Sequence, residues 1–150
     1  MKYKIFVNFI SANQAVDLRS RILRPGQPIE NCLYSGDFDA GTFHLGVLVD
    51  ARIVSNGTFM LEKNKNFPEA HISYRLRGMA TETACQKMGF GKLIIEAALL
   101  ELTKRNCDLI WFNARVSAEG FYEKMGFMAL PEIFDIPLAG PHKVMYKWCR

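Results

Sequence analysis

Residues 74–92 read YRLRGMAT, then ETAC, then QKMGFGK, from Tyr74 to Lys92. Over 71–80 (HISYRLRGMA) the apolar Ile72, Tyr74 and Leu76 alternate with Ser73, Arg75 and Arg77, the period-two pattern of a half-buried strand. A helix is expected from about Phe90 to Arg105, with Leu93, Ala97, Leu99 and Leu100 on its inner side and Asn106 closing it. Between strand and helix lies a short loop that ends in two glycines. Such a junction binds phosphate. The first N–H groups of a helix have no partner within it, the macrodipole makes that end positive, and glycine lets an anion approach the backbone closely. Lys87 and Lys92 add a full positive charge on either side.

Three phosphate motifs compete for this loop. A Walker A loop fits Gly91 and Lys92 but requires glycine at Gln86 and a hydroxyl residue at Leu93. A dinucleotide fingerprint requires a third glycine where Ile94 stands. The form Q/R-x-x-G-x-G/A fits at each defined position, with Gln86, Gly89 and Gly91. A pattern this short also fits a glycine-rich helix start that holds no ligand.

Working outward, Leu109–Phe112 reads as a short buried strand, and Ser117–Met125 as a helix ended by a left-handed Gly126. Phe127–Leu130, a proline-rich loop over 134–142 and a final strand Val144–Trp148 complete this half. Upstream, residues 11–23 place Ala15, Leu18, Ile22 and Leu23 on one helical face, with Ser11 or Asn13 as cap, until Arg24–Pro25–Gly26 stops the helix. A polar loop over Ser35–Gly41 leads to Thr42–Val49, a turn at Asp50–Ala51–Arg52 and a second strand over Ile53–Glu62, an antiparallel hairpin. Strand, helix, strand over 71–112 implies a right-handed crossover and one parallel pair. The expectation is one mixed α/β domain over residues 1–150, a mostly antiparallel twisted sheet flanked by helices.

The loop and the segment AEGFYEKMGF together resemble the GNAT superfamily of N-acetyltransferases. In that family the Q/R-x-x-G-x-G/A loop follows the fourth strand, here YRLRGMAT. A later helix carries A-x-x-x-Y-x-x-x-G-F, matched by Ala118, Tyr122, Gly126 and Phe127. The similarity covers roughly residues 42–130. It implies an enzyme that transfers an acetyl or other acyl group from acetyl-CoA to a primary amine by direct attack. The implied cofactor-binding residues are Met79, Ala80 and Thr81 for pantetheine, and Gln86, Lys87, Met88, Gly89, Phe90, Gly91 and Lys92 for pyrophosphate. Tyr122 corresponds to the general acid. Many members carry an asparagine seven residues before this tyrosine; here Arg115 stands there, and Asn113 is the alternative contact. Glu62, His44 and His142 are the candidate bases, beside water itself. The missing base and Arg115 also fit a non-catalytic coenzyme-binding module. The loop over 134–142 lies where the family borders its acceptor pocket.

Composition narrows the partners. Of 150 residues, 49% are apolar and the net charge is +4, without the basic runs of a nucleic-acid protein. Cys32, Cys85, Cys107 and Cys149 are too widely spaced for a zinc site or a disulfide framework, which fits reduced thiols in the cytoplasm. Lys2 and Lys4 precede Ile5–Phe6–Val7, but Asn8 interrupts that run, so neither a signal peptide nor a membrane helix is expected. The resemblance implies a small-molecule or peptide amine as acceptor, and exposed strand edges at the C-terminus suggest a homodimer.

Overall fold

The computed structural model describes residues 3–150, so Lys2 lies outside the described residues. The chain forms two compact units. One comprises the chain up to Leu61 with Leu76–Glu101, the other Glu62–Arg75 with Leu102–Arg150.

The first unit contains strand β1 (Ile5–Ile10), helix α1 (Ala12–Leu23), strands β2 (Phe43–Val49) and β3 (Arg52–Leu61), the later part of β4 (Ser73–Thr81) and most of helix α2 (Phe90–Lys104). Its strands follow the order β1-β2-β3-β4. The β2–β3 hairpin turns through Asp50 and Ala51 at φ 49° and 69°, the doubly left-handed turn that suits strand twist. Of the two expected caps, Ser11 and Asn13, it is Ser11 that caps α1, in a reciprocal capping box with Gln14. β1 was not expected. Asn8 breaks its apolar run, yet Ile5–Ile10 pairs antiparallel with β2, from Ile5↔Val49 to Ile10↔His44.

Two helix faces differ from expectation. α1 buries Ala12, Ala15, Val16, Leu18 and Arg19, while Leu23 is exposed. A fully buried arginine rotates the inner face away from the apolar stripe. In α2 the buried residues are Phe90, Ile94, Ile95, Ala98 and Leu102, and Leu93 and Leu100 are exposed. The run LIIEAALLEL is apolar nearly all round, so periodicity alone cannot choose its inner face.

The second unit is built on β5 (Leu109–Arg115), which pairs in parallel with the start of β4 through Ser73↔Leu109 and Arg75↔Trp111. The parallel pair agrees with the sequence reading. On its other side β5 runs antiparallel to β8 (Gly140–Trp148), which also pairs with β6 (Met128–Ala129) and β7 (Phe134–Ile136). The proline-rich segment expected as a loop is therefore a β7–β8 hairpin, turned through left-handed Leu138 and Gly140. Phe67, Ala70, Leu109 and Trp111 form its core with Val144, Tyr146 and Trp148 packed against them. The expected helix over Ser117–Met125 is instead a 3-10 turn at Val116–Ala118 followed by a short α3 (Glu119–Glu123). Asn106, left-handed at φ 56°, closes α2: Asn106 N–H donates to Thr103 and Cys107 N–H to Leu102. Among the described residues no helix is long and apolar enough to cross a membrane, and no residue cluster could hold a metal ion.

Candidate active site

The loop between β4 and α2 is open and conformationally unusual. After Thr81 the chain makes a 3-10 turn at Thr83–Cys85, and Gln86 is extended. Lys87 then adopts φ 64° and Gly89 φ 83°. A left-handed lysine costs about 1–2 kcal/mol, so the loop holds a shape its sequence alone does not favour. The first rung of α2 is Leu93 N–H to Gly89 C=O at 3.2 Å. The N–H groups of Phe90, Gly91 and Lys92 therefore precede the helical ladder, at the positive end of a 15-residue helix. A Cβ placed on Gly89 would meet nothing within 4 Å. Lys87, Met88 and Lys92 are exposed and Phe90 is buried, anchoring the helix start. Gln86 folds back, its Nε2 donating to Thr81 C=O at 3.3 Å. Space, free donors and positive charge thus coincide, and the residues fit a diphosphate.

The strand that delivers this loop is fixed from both sides. Thr81 Oγ1 lies 2.7 Å from Ser55 Oγ, and Glu82 N–H donates to Val54 C=O at 2.8 Å. Glu82 is held by Arg21 at 2.7 Å, with Arg52 at 3.8 Å, and the Arg21 hydrogen bond lowers its pKa. Met79 is half-buried and Ala80 buried. Gly78 inside β4 has φ 63°, and a Cβ there would sit 2.8 Å from Arg19 Nε and 3.1 Å from the Tyr34 ring. That left-handed residue interrupts the pleat one position before Met79. Glycine is needed there both for the left-handed backbone and because the packed Arg19 guanidinium and Tyr34 ring leave no room for a Cβ.

Arg19 centres a buried network. Its guanidinium forks onto Asp37 at 2.8 and 3.1 Å, donates to Cys32 C=O and Thr58 Oγ1, and stacks on Tyr34, whose ring also carries Arg77. Burial alone would raise the Asp37 carboxyl, but Arg19 and the Tyr34 N–H bring it below the usual value. His44 Nε2 lies 3.0 Å from Asp37 C=O and its Nδ1 2.7 Å from Thr58 Oγ1. A carbonyl can only accept, so Nε2 carries the proton and Nδ1 accepts from the threonine. Burial, with Arg19 nearby, lowers the His44 pKa and keeps it neutral. Both ring nitrogens are engaged, so His44 is a structural residue and not a free base. Nothing in the sequence linked Arg19 to Asp37; the one signal was a charged residue flush with the apolar face of α1.

In the second unit Tyr122 is the penultimate residue of α3, and its surroundings give the Y-x-x-x-G-F pattern a physical reading. Gly126 N–H donates to Glu123 C=O and Phe127 N–H to Tyr122 C=O, with Gly126 at φ 89°. This is a Schellman close, which brings the residue after the glycine against the tyrosine. The Phe127 and Tyr122 rings lie 6.0 Å apart, with Phe112 at 4.5 Å and Phe121 at 5.0 Å from Tyr122. Three aromatics fix the phenol ring, and burial pushes its pKa up to about 12.

The remaining candidates fall apart from this cluster. Asn113 and Arg115 alternate with Phe112 along β5, so they project from the face opposite the one on which Tyr122 packs. Asn113 is half-buried and Arg115 exposed. Glu62 pairs with Arg75 at 3.0 Å. His142 is buried, with Nδ1 2.8 Å from Gly140 C=O and its ring tilted over Phe134. All four cysteines are free thiols.

A mixed sheet with one parallel pair, a glycine-rich loop opening α2 and a ring-packed tyrosine define a class of acyl-transfer enzymes. Residues 41–129 match the GNAT acetyltransferase domain, and the chain belongs to that family; it is an N-acyltransferase. It is 41% identical over 144 residues, 96% of each chain, to YitI of Bacillus subtilis, an uncharacterised N-acetyltransferase. Its fold is similar to the ribosomal-protein-S18-alanine N-acetyltransferase of Escherichia coli, with TM-score 0.73, 14% identity and coverage of 97% and 94%. It is similar too to FeeM, an N-acyl amino acid synthase from uncultured soil microbes, with TM-score 0.76, 10% identity and coverage of 99% and 92%. Acetyl-CoA is the usual cosubstrate of the family.

Proposed function

We propose that this enzyme transfers an acetyl group from acetyl-CoA to a primary amine, with residues 86–92 holding the coenzyme's pyrophosphate and Tyr122 acting as general acid. The observation that carries the reading is the loop itself, with Gly89 open to solvent and three helix-start N–H groups ahead of the first rung of α2. Left-handed Lys87 and Gly89 favour turning successive N–H groups to one side, the geometry that receives an anion. Gln86, Lys87, Met88, Gly89, Phe90, Gly91 and Lys92 form the cradle, with charge supplied by the two lysines. Met79, Ala80 and Thr81 are assigned to the pantetheine arm through backbone groups, with the Met79 or Ala80 N–H as oxyanion donor. Asn113 is the contact assigned to β5.

Bound acetyl-CoA supplies an activated thioester; as its acetyl group passes to the amine nitrogen, the C–S bond breaks and coenzyme A leaves as the thiolate. Tyr122 holds the compensating proton at Oη. With its pKa near 12 the phenol is fully protonated at neutral pH. Donation to a thiolate whose thiol has a pKa of about 8.5 is then uphill by roughly 5 kcal/mol, well inside the barrier of an ordinary enzyme turnover. With Glu62, His44 and His142 each engaged elsewhere, we assign removal of the amine proton to water. The acceptor is a small-molecule or peptide amine, and the four free thiols fit a cytoplasmic setting.

The test is release of free thiol from acetyl-CoA against a panel of amino acids, polyamines and peptides with free N-termini. Turnover with at least one class, strongly reduced in Tyr122→Phe, is expected. Absence of turnover across the panel, with acetyl-CoA still bound, would instead make the chain a coenzyme-binding module.

A further inference from the structure

β1 lies at one end of the strand order and pairs only with β2 among the described residues. It is unusually apolar for an edge. Tyr3 is 64% exposed, Ile5 49%, Phe6 46% and Phe9 54%. Long, exposed, apolar edges are what monomeric proteins avoid, because their open N–H and C=O groups recruit another strand. We propose that β1 is a dimer surface, pairing antiparallel with β1 of a second copy about a two-fold axis through Phe6.

The backbone chooses this register. Asp50 N–H donates to Lys4 C=O at 3.0 Å, so Lys4, Phe6, Asn8 and Ile10 turn their main-chain groups toward β2. Ile5, Val7 and Phe9 turn theirs outward. Of these, the Phe9 N–H is already closed by Asn8 Oδ1 at 2.9 Å. The groups of Ile5 and Val7 are both open, and antiparallel self-pairing satisfies both when Ile5 faces Val7 of the second copy. Phe6 then faces Phe6 across the axis in a non-hydrogen-bonded pair, the type in which side chains approach most closely. Tyr3 faces Phe9 on one sheet face, and Lys4 faces Asn8 on the other. Apolar residues meet apolar ones and polar meet polar. Moving the axis to Val7 would instead set apolar Phe6 against polar Asn8, and an inner Ile5–Phe9 pair, rather than the outermost Tyr3–Phe9 pair, would lack the Phe9 N–H that Asn8 has taken.

A two-fold contact of this kind is self-complementary and closes at two copies. The four exposed side chains of each copy offer on the order of 400 Å², so roughly 800 Å² for two, before main chain and the Lys4 stem are counted. That lies near the lower end of specific interfaces, so the dimer should depend on concentration. It also moves the expected contact from the C-terminal strands to the N-terminal one.

Sedimentation velocity across a concentration series tests this. Wild type is expected to shift from the 17.1 kDa monomer toward twice that mass. Phe6→Lys sets two ammonium groups face to face at the axis, and Val7→Pro removes an outward N–H while sparing the β2 ladder. Each should weaken dimerisation at least about tenfold. If one variant misfolds by circular dichroism, the other decides. Phe6→Cys should crosslink to itself under mild oxidation, identified by mass spectrometry of the joined peptide, whereas Phe9→Cys should not. A wild type that stays monomeric at every concentration reached would overturn the proposal, as would a dimer indifferent to both Phe6→Lys and Val7→Pro.

Discussion

Residues 82–92 and residues 116–127 both turn a chain at a glycine beside a helix end, and their physical conditions are opposite. At Gly89 an added Cβ would meet nothing, the Lys87, Met88 and Lys92 side chains are exposed, and left-handed Lys87 stands in a conformation its side chain disfavours. At Gly126 the Lys147 ammonium occupies the space a Cβ would need, and the turn is tied by two Schellman bonds and three aromatic contacts. The first turn keeps donors free, as a ligand site must. The second spends its groups on itself and fixes one half-buried phenol among aromatic rings. A glycine in a family motif can therefore mark either ligand access or a helix close, and only the surroundings distinguish the two.

The sharpest way to break this contrast is at the tyrosine. Tyr122→Phe keeps the ring contacts and removes the proton, so kcat should fall roughly 10²–10⁴-fold. Affinity for acetyl-CoA and the thermal midpoint should hardly move. A fall in stability instead, with kcat preserved, would return Tyr122 to a purely packing role. Next in size is Arg19→Ala, which strands the buried Asp37 carboxylate and should cost about 3–5 kcal/mol in denaturant unfolding.

The two glycines then form a pair. Gly89→Ala and Gly126→Ala each carry the left-handed penalty of about 1–2 kcal/mol. The first should weaken coenzyme binding at least about tenfold, because the side chain enters the space assigned to the ligand. The second should leave binding unchanged and lower the thermal midpoint by roughly 2–8 °C. The opposite assignment of effects would invert the comparison.

The smallest effect concerns pH. His44 has a native pKa below its unfolded value of about 6.5, so the unfolded chain takes up the proton first. Stability should be constant above that value and decline as pH falls below it toward the native pKa. Asp37, also lowered, adds a loss below about pH 4. Unfolding curves at several pH values should show a slope between pH 6.5 and 5 that His44→Gln lacks. Tyr122 adds no alkaline limb to activity below about pH 10, because its phenol titrates near 12.

What could be read in the sequence was what depends on near neighbours. Gln86, Gly89 and Gly91 announce a turn and a helix start within six residues, and Tyr122 to Phe127 span one Schellman close. The β2–β3 hairpin and the parallel β4–β5 pair follow from alternation and spacing in the same way. Distant pairings were not legible. Asp37 lies in an irregular loop 18 residues from Arg19, and no local pattern joins them. The inner face of α2 was lost because leucines and isoleucines surround the helix. Asn8 hid β1, and the prolines near 140 hid the β7–β8 hairpin, since Pro137 and Pro141 suit a loop as well as an edge. The ligand-facing half of the proposed site was therefore written locally, while its supporting half depended on contacts between residues distant in the chain.

The most direct measurement is thermal unfolding with acetyl-CoA beside ATP. Acetyl-CoA at one hundred times its dissociation constant should stabilise the protein by about 2.7 kcal/mol, and ATP at the same concentration should leave the midpoint unchanged. A shift with ATP alone, or none with acetyl-CoA, would contradict the assignment of residues 86–92 to the coenzyme.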